Sequence, residues 1–259
     1  MTHAVRFVAV VAVLTALAQC APVQETDALR ARAAAGDAKA QFNIGLMYAT
    51  VDGVPQDDAE AVRWWQLAAD QGYADAQYNL GVMYSNGRGV PQDHAEAGRW
   101  YRLSADQGYA NAQNALGFMH ESGMGVPQDA AEAVRLYRLA ADQGEADAQW
   151  SVGRMYEDGR GVPQDYVEAV RWYRLAAEQG DAEAQHNLGD MYDSGMGVPQ
   201  DYVLAHMWYN LSASRRTLRG LSVDLRDDVA GRMTPTQLAE AQRLATEWDA
   251  AHPREPTLH

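Results

Sequence analysis

Apolar residues along most of this chain return with the spacing of one helical face. Between residues 74 and 85, Ala76, Leu80, Met83 and Tyr84 stand at i, i+4, i+7 and i+8, which predicts an amphipathic helix. Ala97, Trp100, Tyr101 and Ala105 mark a second helix soon after it. Between the two lies Gly-Val-Pro-Gln-Asp, residues 89–93. Proline stops the first helix from running on. Asp93 with Glu96 three residues later is a capping-box-like start for the second. Glu96 and Arg99 then form an i, i+3 surface pair.

This helix–loop–helix pattern recurs. Gly-Val-Pro-Gln-Asp starts at Gly53, Gly89, Gly125, Gly161 and Gly197, always 36 residues apart. The predicted repeats are 36–71, 72–107, 108–143, 144–179 and 180–215. Asp57, Asp129 and Asp165 repeat the cap, and Glu60/Arg63, Glu132/Arg135 and Glu168/Arg171 repeat the pair. Of 22 glycines, 19 fall at four positions of the repeat, so they are architecture and not a phosphate-binding loop. Gly45, Gly81, Gly117, Gly153 and Gly189 lie inside the first helix at a cost of about 1 kcal/mol each against alanine. Close approach of a neighbouring helix is the expected reason. A helix pair of this size cannot bury its own apolar face and must stack on the next pair. Residues 19–35 read as a linker followed by a cap helix over the first repeat. Residues 216–251 read as two C-terminal capping helices, the second opened by Thr234-Pro235-Thr236-Gln237. Residues 252–259 read as a disordered tail.

Composition narrows the function. With 21 basic and 35 acidic residues the net charge is −14, which argues against nucleic acid as a partner. Seven Trp, 13 Tyr and 10 Met exclude disorder as the main state. A single cysteine, Cys20, excludes a disulfide scaffold and Cys-rich metal clusters.

The motif Ala76-x-x-x-Leu80-Gly81-x-x-Tyr84, then Gly87-x-Gly89-Val90-x-x-Asp93, then Ala97-x-x-Trp100-Tyr101 resembles the Sel-1-like repeat, a relative of the tetratricopeptide repeat. The resemblance covers 180 residues. It departs at Val51 for a glycine, His120 for a tyrosine and Leu204 for the Glu at the third helical position. It implies an all-α, right-handed α-solenoid of five helix–loop–helix repeats plus terminal caps. It also implies a partner-binding face formed by the first helices, at positions flanking the Leu-Gly pair. In this chain those positions include Phe42, Asn43, Tyr78, Asn79, Phe118, Trp150, Arg154 and Asn187, with Lys39, Asp75, Asn111, Asp147 and Glu183 further upstream. Aromatic anchors beside amide side chains suit a peptide partner; the alternative is that the same residues pack against adjacent repeats or merely face solvent.

Some Sel-1-like proteins are described with β-lactamase activity, which wants Ser-x-x-Lys. Here Lys39 is the sole lysine, and Gly36 precedes it by three. No His-Glu-x-x-His occurs among the seven histidines, and His120 takes a core tyrosine's place. No cofactor is expected. The function expected is a non-catalytic protein–protein interaction scaffold of the bacterial envelope. A peptidoglycan- or carbohydrate-associated binding module or enzyme is the alternative, and a structural or host-directed secreted factor comes third.

Localisation follows from residues 1–18. Arg6 precedes an apolar run to Ala18, and Ala16-Leu17-Ala18 offers a small-x-small cleavage site, the pattern of a signal peptide. A periplasmic or secreted protein is expected. Leu17-Ala18-Gln19-Cys20 also resembles a lipoprotein box, with Gln19 where that pattern has a small residue. Anchoring through Cys20 is therefore the second reading.

Overall fold

The computed structural model describes residues 27–50, 54–214 and 219–252, and every described element is a helix. The expected signal peptide, Cys20 and the tail from 253 on lie outside the described residues. The chain forms two compact units, one ending at Gln107 and one beginning at Gly108.

The N-terminal unit holds α1 (residues 27–34), α2 (Ala38–Thr50), α3 (Asp58–Ala69), α4 (Ala74–Asn86) and α5 (His94–Ala105). Consecutive helices from α2 to α5 pack on one another. Ala33 of α1 packs against Ala40 and Ile44. Leu80, Met83, Trp65 and Trp100 fill the main core.

The C-terminal unit holds α6 (Ala110–Ser122), α7 (Ala130–Ala141), α8 (Ala146–Asp158), α9 (Tyr166–Glu178), α10 (Ala182–Ser194), α11 (Tyr202–Ala213), α12 (Arg219–Ala230) and α13 (Pro235–Ala251). Helices α6 to α11 pack in chain order, and α12 and α13 both cover α11. Trp208 of α11 meets Trp248 of α13 edge to face, 6.1 Å between centroids. The Thr234 capping box forms in full, with Pro235 in the first turn. Both units are thus stacks of helix pairs, the all-α repeat architecture that the period predicts.

Local chemistry explains the helix boundaries. The Asp165 side chain accepts from the backbone N–H groups of Val167 and Glu168. The capping box is only half formed, however. Glu168 turns to Arg171 instead, and the Asp165 backbone N–H donates to the Tyr156 carbonyl of the preceding helix. The cap therefore ties the two helices of a repeat together.

The interior glycines have a sharper role than expected. A Cβ at Gly153 would lie 2.6 Å from the Tyr173 ring, and one at Gly81 2.5 Å from the Tyr101 ring. Each glycine is a seat for the aromatic ring of its own repeat's second helix. In the C-terminal unit the seated tyrosines are fully buried, and each hydroxyl donates to a carboxylate of the first helix. Tyr137 reaches Glu121 at 2.8 Å, Tyr173 reaches Glu157 at 2.5 Å and Tyr209 reaches Asp190 at 2.6 Å. Burial first, and then these carboxylates, push the three phenols far above their ordinary range.

A ladder of glutamines joins successive repeats. Gln149 is buried and donates to the Ala141 carbonyl of the previous repeat, while its oxygen accepts from Gln179 at the end of its own. Gln77 repeats this with Ala69 and Gln107. Buried amides so satisfied fix the register of stacking.

Candidate functional site

Three first helices of the C-terminal unit frame a cleft of about 560 Å³, within the size range of ligand sites. Helix α6 contributes Asn114, Ala115 and Phe118, and α8 contributes Asp147, Trp150, Ser151 and Arg154. Asp181 and Glu183 close it at the start of α10, and Tyr137 forms part of the floor. Phe118 is 52% exposed, the largest apolar side chain left so open among the described residues. Phe118, Trp150 and Arg154, all expected from the sequence, therefore share one cavity.

The polar residues are held in place. The Trp150 indole N–H donates to Asn187 Oδ1 at 3.0 Å, and Asn187 Nδ2 donates to Glu157 at 3.4 Å. Asn187 thus orients Trp150 and is not a free contact. Arg154 lies over the Trp150 ring, 5.1 Å from its centroid, a cation–π arrangement. Its guanidinium donates to both oxygens of Glu121 at 2.7 Å. Arg160 donates to the same carboxylate at 2.6 Å. Burial pushes the Glu121 carboxyl up, but the Tyr137 hydroxyl and the two guanidiniums outweigh it and hold the group below its ordinary value.

The opposite end of the cleft is acidic. Asp181 caps α10 by accepting from Ala184 N–H at 2.6 Å. Burial, reinforced by the charges of Glu183, Asp147 and Glu145, pushes Asp181 up to about 6 despite that bond. A carboxyl raised in the folded state withdraws stability as pH climbs from 3.8, its unfolded value, through about 6. Asp181→Asn keeps the cap acceptor and removes the charge. It should stabilise the chain by on the order of 1 kcal/mol at pH 7, with the gain shrinking towards pH 4 in paired thermal melts.

In the N-terminal unit, Phe42 packs on Tyr73 at 5.2 Å and Tyr78 on Tyr101 at 5.7 Å. Both rings are half-buried, as are Asn43 and Asn79. His120 is buried, with Nδ1 at 3.1 Å from the Pro127 carbonyl, a structural histidine. Among the described residues, no three His, Cys, Asp or Glu form a metal site, and no helix is long and apolar enough to cross a membrane.

A family profile for the Sel1 repeat matches residues 38–73, 74–109, 110–145, 146–181 and 182–216. The chain belongs to the Sel1 repeat family. Among solved structures it is similar to a Sel1 repeat protein from Oxalobacter formigenes, at 33% identity and a TM-score of 0.71, covering 86% of this chain and 90% of that one. It is also similar to a protective antigen of uropathogenic Escherichia coli strains that displays an SLR fold, at 39% identity and a TM-score of 0.76. That match covers 88% of this chain but only 49% of the antigen, so this chain spans about half of the antigen's length. No curated protein matches the chain. Sel1 repeat proteins generally mediate protein–protein interactions and are generally non-catalytic scaffolds.

Two residues escape a motif reading of the Sel1 repeat: Asp181, which lines the cleft, and Glu121, which holds the lining residue Arg154. Asp181 stands at the position that Tyr73 and Tyr109 hold in earlier repeats. That change from aromatic to acid is the signal that marks it. Glu121 is betrayed only by its partners, which lie 33 and 39 residues further on.

Proposed function

We propose that this chain is an exported, non-catalytic interaction module of the bacterial envelope that seats an extended segment of a partner protein in the cleft of its C-terminal unit. The observation that carries this reading is the open Phe118 ring beside Trp150 and Arg154 in one cavity. An apolar ring so exposed adds little to the core and much to a contact. Phe118, Trp150 and Arg154 are the contact residues, and Asn187 positions Trp150. The flanking positions Phe42, Asn43, Tyr78 and Asn79 form a second candidate face on the N-terminal unit. Export rests on the signal-peptide pattern of residues 1–18. A glycan is the weaker candidate, because Arg154 already covers a face of the Trp150 ring on which a sugar would stack.

The test compares the chain with its Phe118→Ala variant, both immobilised and challenged with envelope extract. Phe118→Ala should leave the melting temperature within about 2 °C, as befits an exposed position. Retention of the bound protein should fall roughly tenfold. Equal retention by both forms would overturn the reading. Fractionation of cells carrying the chain and its Cys20→Ser variant decides between a soluble exported form and an anchored one.

A further inference from the structure

We infer that the partner segment presents a lysine or arginine to the acidic end of the cleft, at Asp147, Asp181 and Glu183, while an apolar residue of the same segment lies on Phe118. The inference rests on the reading of the cleft as a peptide site and adds the chemistry of the peptide.

Charge balance within the molecule supports it. Acids on the outer helices are matched locally: Glu132 pairs with Arg135 at 2.7 Å and Glu168 with Arg171 at 3.2 Å. Asp147, Asp181 and Glu183 have no such cation among the described residues. The one basic side chain lining the cleft, Arg154, already serves Glu121 with both of its bonds. The cavity therefore combines an open aromatic ring with a set of uncompensated carboxylates, and two of these, Asp181 and Glu183, are half-buried. Like charges gathered at a concave, partly desolvated surface raise the local potential and draw in the opposite charge. The proton affinity of Asp181 is raised first by burial and further by the charges of Glu183 and Asp147.

The spacing sets the form of the ligand. Phe118 is the ninth residue of α6 and Asp147 the second of α8. At a rise of 1.5 Å per residue the seven-residue offset alone amounts to about 10 Å, and the lateral step between the two helices adds to it. An extended chain covers that in about three to five residues. The expected segment thus has an apolar residue and a basic residue separated by that interval.

A synthetic library of randomised nonapeptides, selected on the purified full chain, reads this directly. Enrichment of Lys or Arg at a fixed offset from Phe, Leu or Tyr is expected. Binding of a selected peptide should weaken at least tenfold between 50 and 500 mM NaCl. The variant Asp147→Asn/Asp181→Asn/Glu183→Gln should lose the basic preference and keep the apolar one, while Phe118→Ala should do the reverse. Should the triple variant melt, the single Asp147→Asn, at an exposed position outside the caps, gives the same readout. Selection of apolar peptides without a basic residue, or with acidic ones, would overturn this inference and leave the cleft as a peptide site. If no peptide binds better to the parent chain than to Phe118→Ala, the cleft reading itself fails and the inference with it. A dimer in solution that Phe118→Ala dissociates would likewise overturn both, by giving the cleft to a second copy.

Discussion

Gly161→Ala should lower the stability of the chain by about 4 kcal/mol, near the upper end for any single substitution, whereas Gly144→Ala should cost only about 1 kcal/mol. Both glycines have positive φ, +71° and +95°, so an alanine at either place carries the left-handed penalty. They differ in what surrounds them. Around Gly144 nothing lies within 4 Å of where a Cβ would stand. At Gly161 the Cβ would overlap the Ala130 carbonyl oxygen, lie 2.5 Å from its carbon and stand 2.9 Å from the Ala131 nitrogen. These are backbone atoms at the start of α7, and a helix terminus cannot rotate aside as a side chain can. The loop of the fourth repeat rests directly on the main chain of the third. Urea melts of the two variants, followed by circular dichroism, provide the comparison. Equal losses would show that backbone conformation alone sets the cost and that the contact between repeats is soft.

The second large effect is expected at Glu121. This carboxylate is 6% exposed, and Arg154, Arg160 and Tyr137 all converge on it. Glu121→Ala strands two guanidiniums and a buried hydroxyl at once. Removing one partner of a buried ion pair costs 3–5 kcal/mol, and the arginines keep some solvent, so about 3 kcal/mol is expected. Glu121→Gln keeps an acceptor and should lose less. The pH dependence has a definite sign. Glu121 is held below its ordinary value of 4.5, so its contribution is complete above that pH and fades as pH falls through the lowered value. The gap between parent and Glu121→Gln should therefore close on acidification from pH 5 to pH 3. A gap that stays constant over that range would show that shape, and not charge, holds the junction. Freed of Glu121, Arg154 should also move off Trp150, so the same variant should weaken ligand binding.

Most of the fold is legible in the sequence because each repeat is written with local signals. Prolines such as Pro163, caps such as Asp165 and the apolar face of Ala169, Trp172 and Tyr173 act within one or two turns, and their 36-residue recurrence removes the ambiguity of any single instance. What escapes are contacts between elements. The interior glycine reads as an approach point between helices, but its purpose depends on a tyrosine 20 residues away. The glutamine ladder is invisible to a hydrophobic pattern because Gln149 is polar and yet buried. In the site, variable positions on the first helices point to Phe118, Trp150 and Arg154. The pattern carries no sign that Asn187 is committed to Trp150, or that Glu121 neutralises Arg154. Both are pairings between repeats, and each needs a residue, Trp150 or Arg154, that no other repeat carries at that position.

The rungs of the glutamine ladder join residues 30 apart, and the Glu121–Arg160 bridge spans 39. No tie of this kind waits for the far end of the chain. Structures dominated by such short sequence separations close small loops at modest entropic expense and fold in microseconds to milliseconds. A polypeptide delivered from one end, by a ribosome or through a translocation pore, could therefore consolidate one helix pair after another as it emerges. Each completed pair would offer the next a finished surface, so partly emerged chains would bury their Trp and Tyr rings early and leave little sticky surface for aggregation.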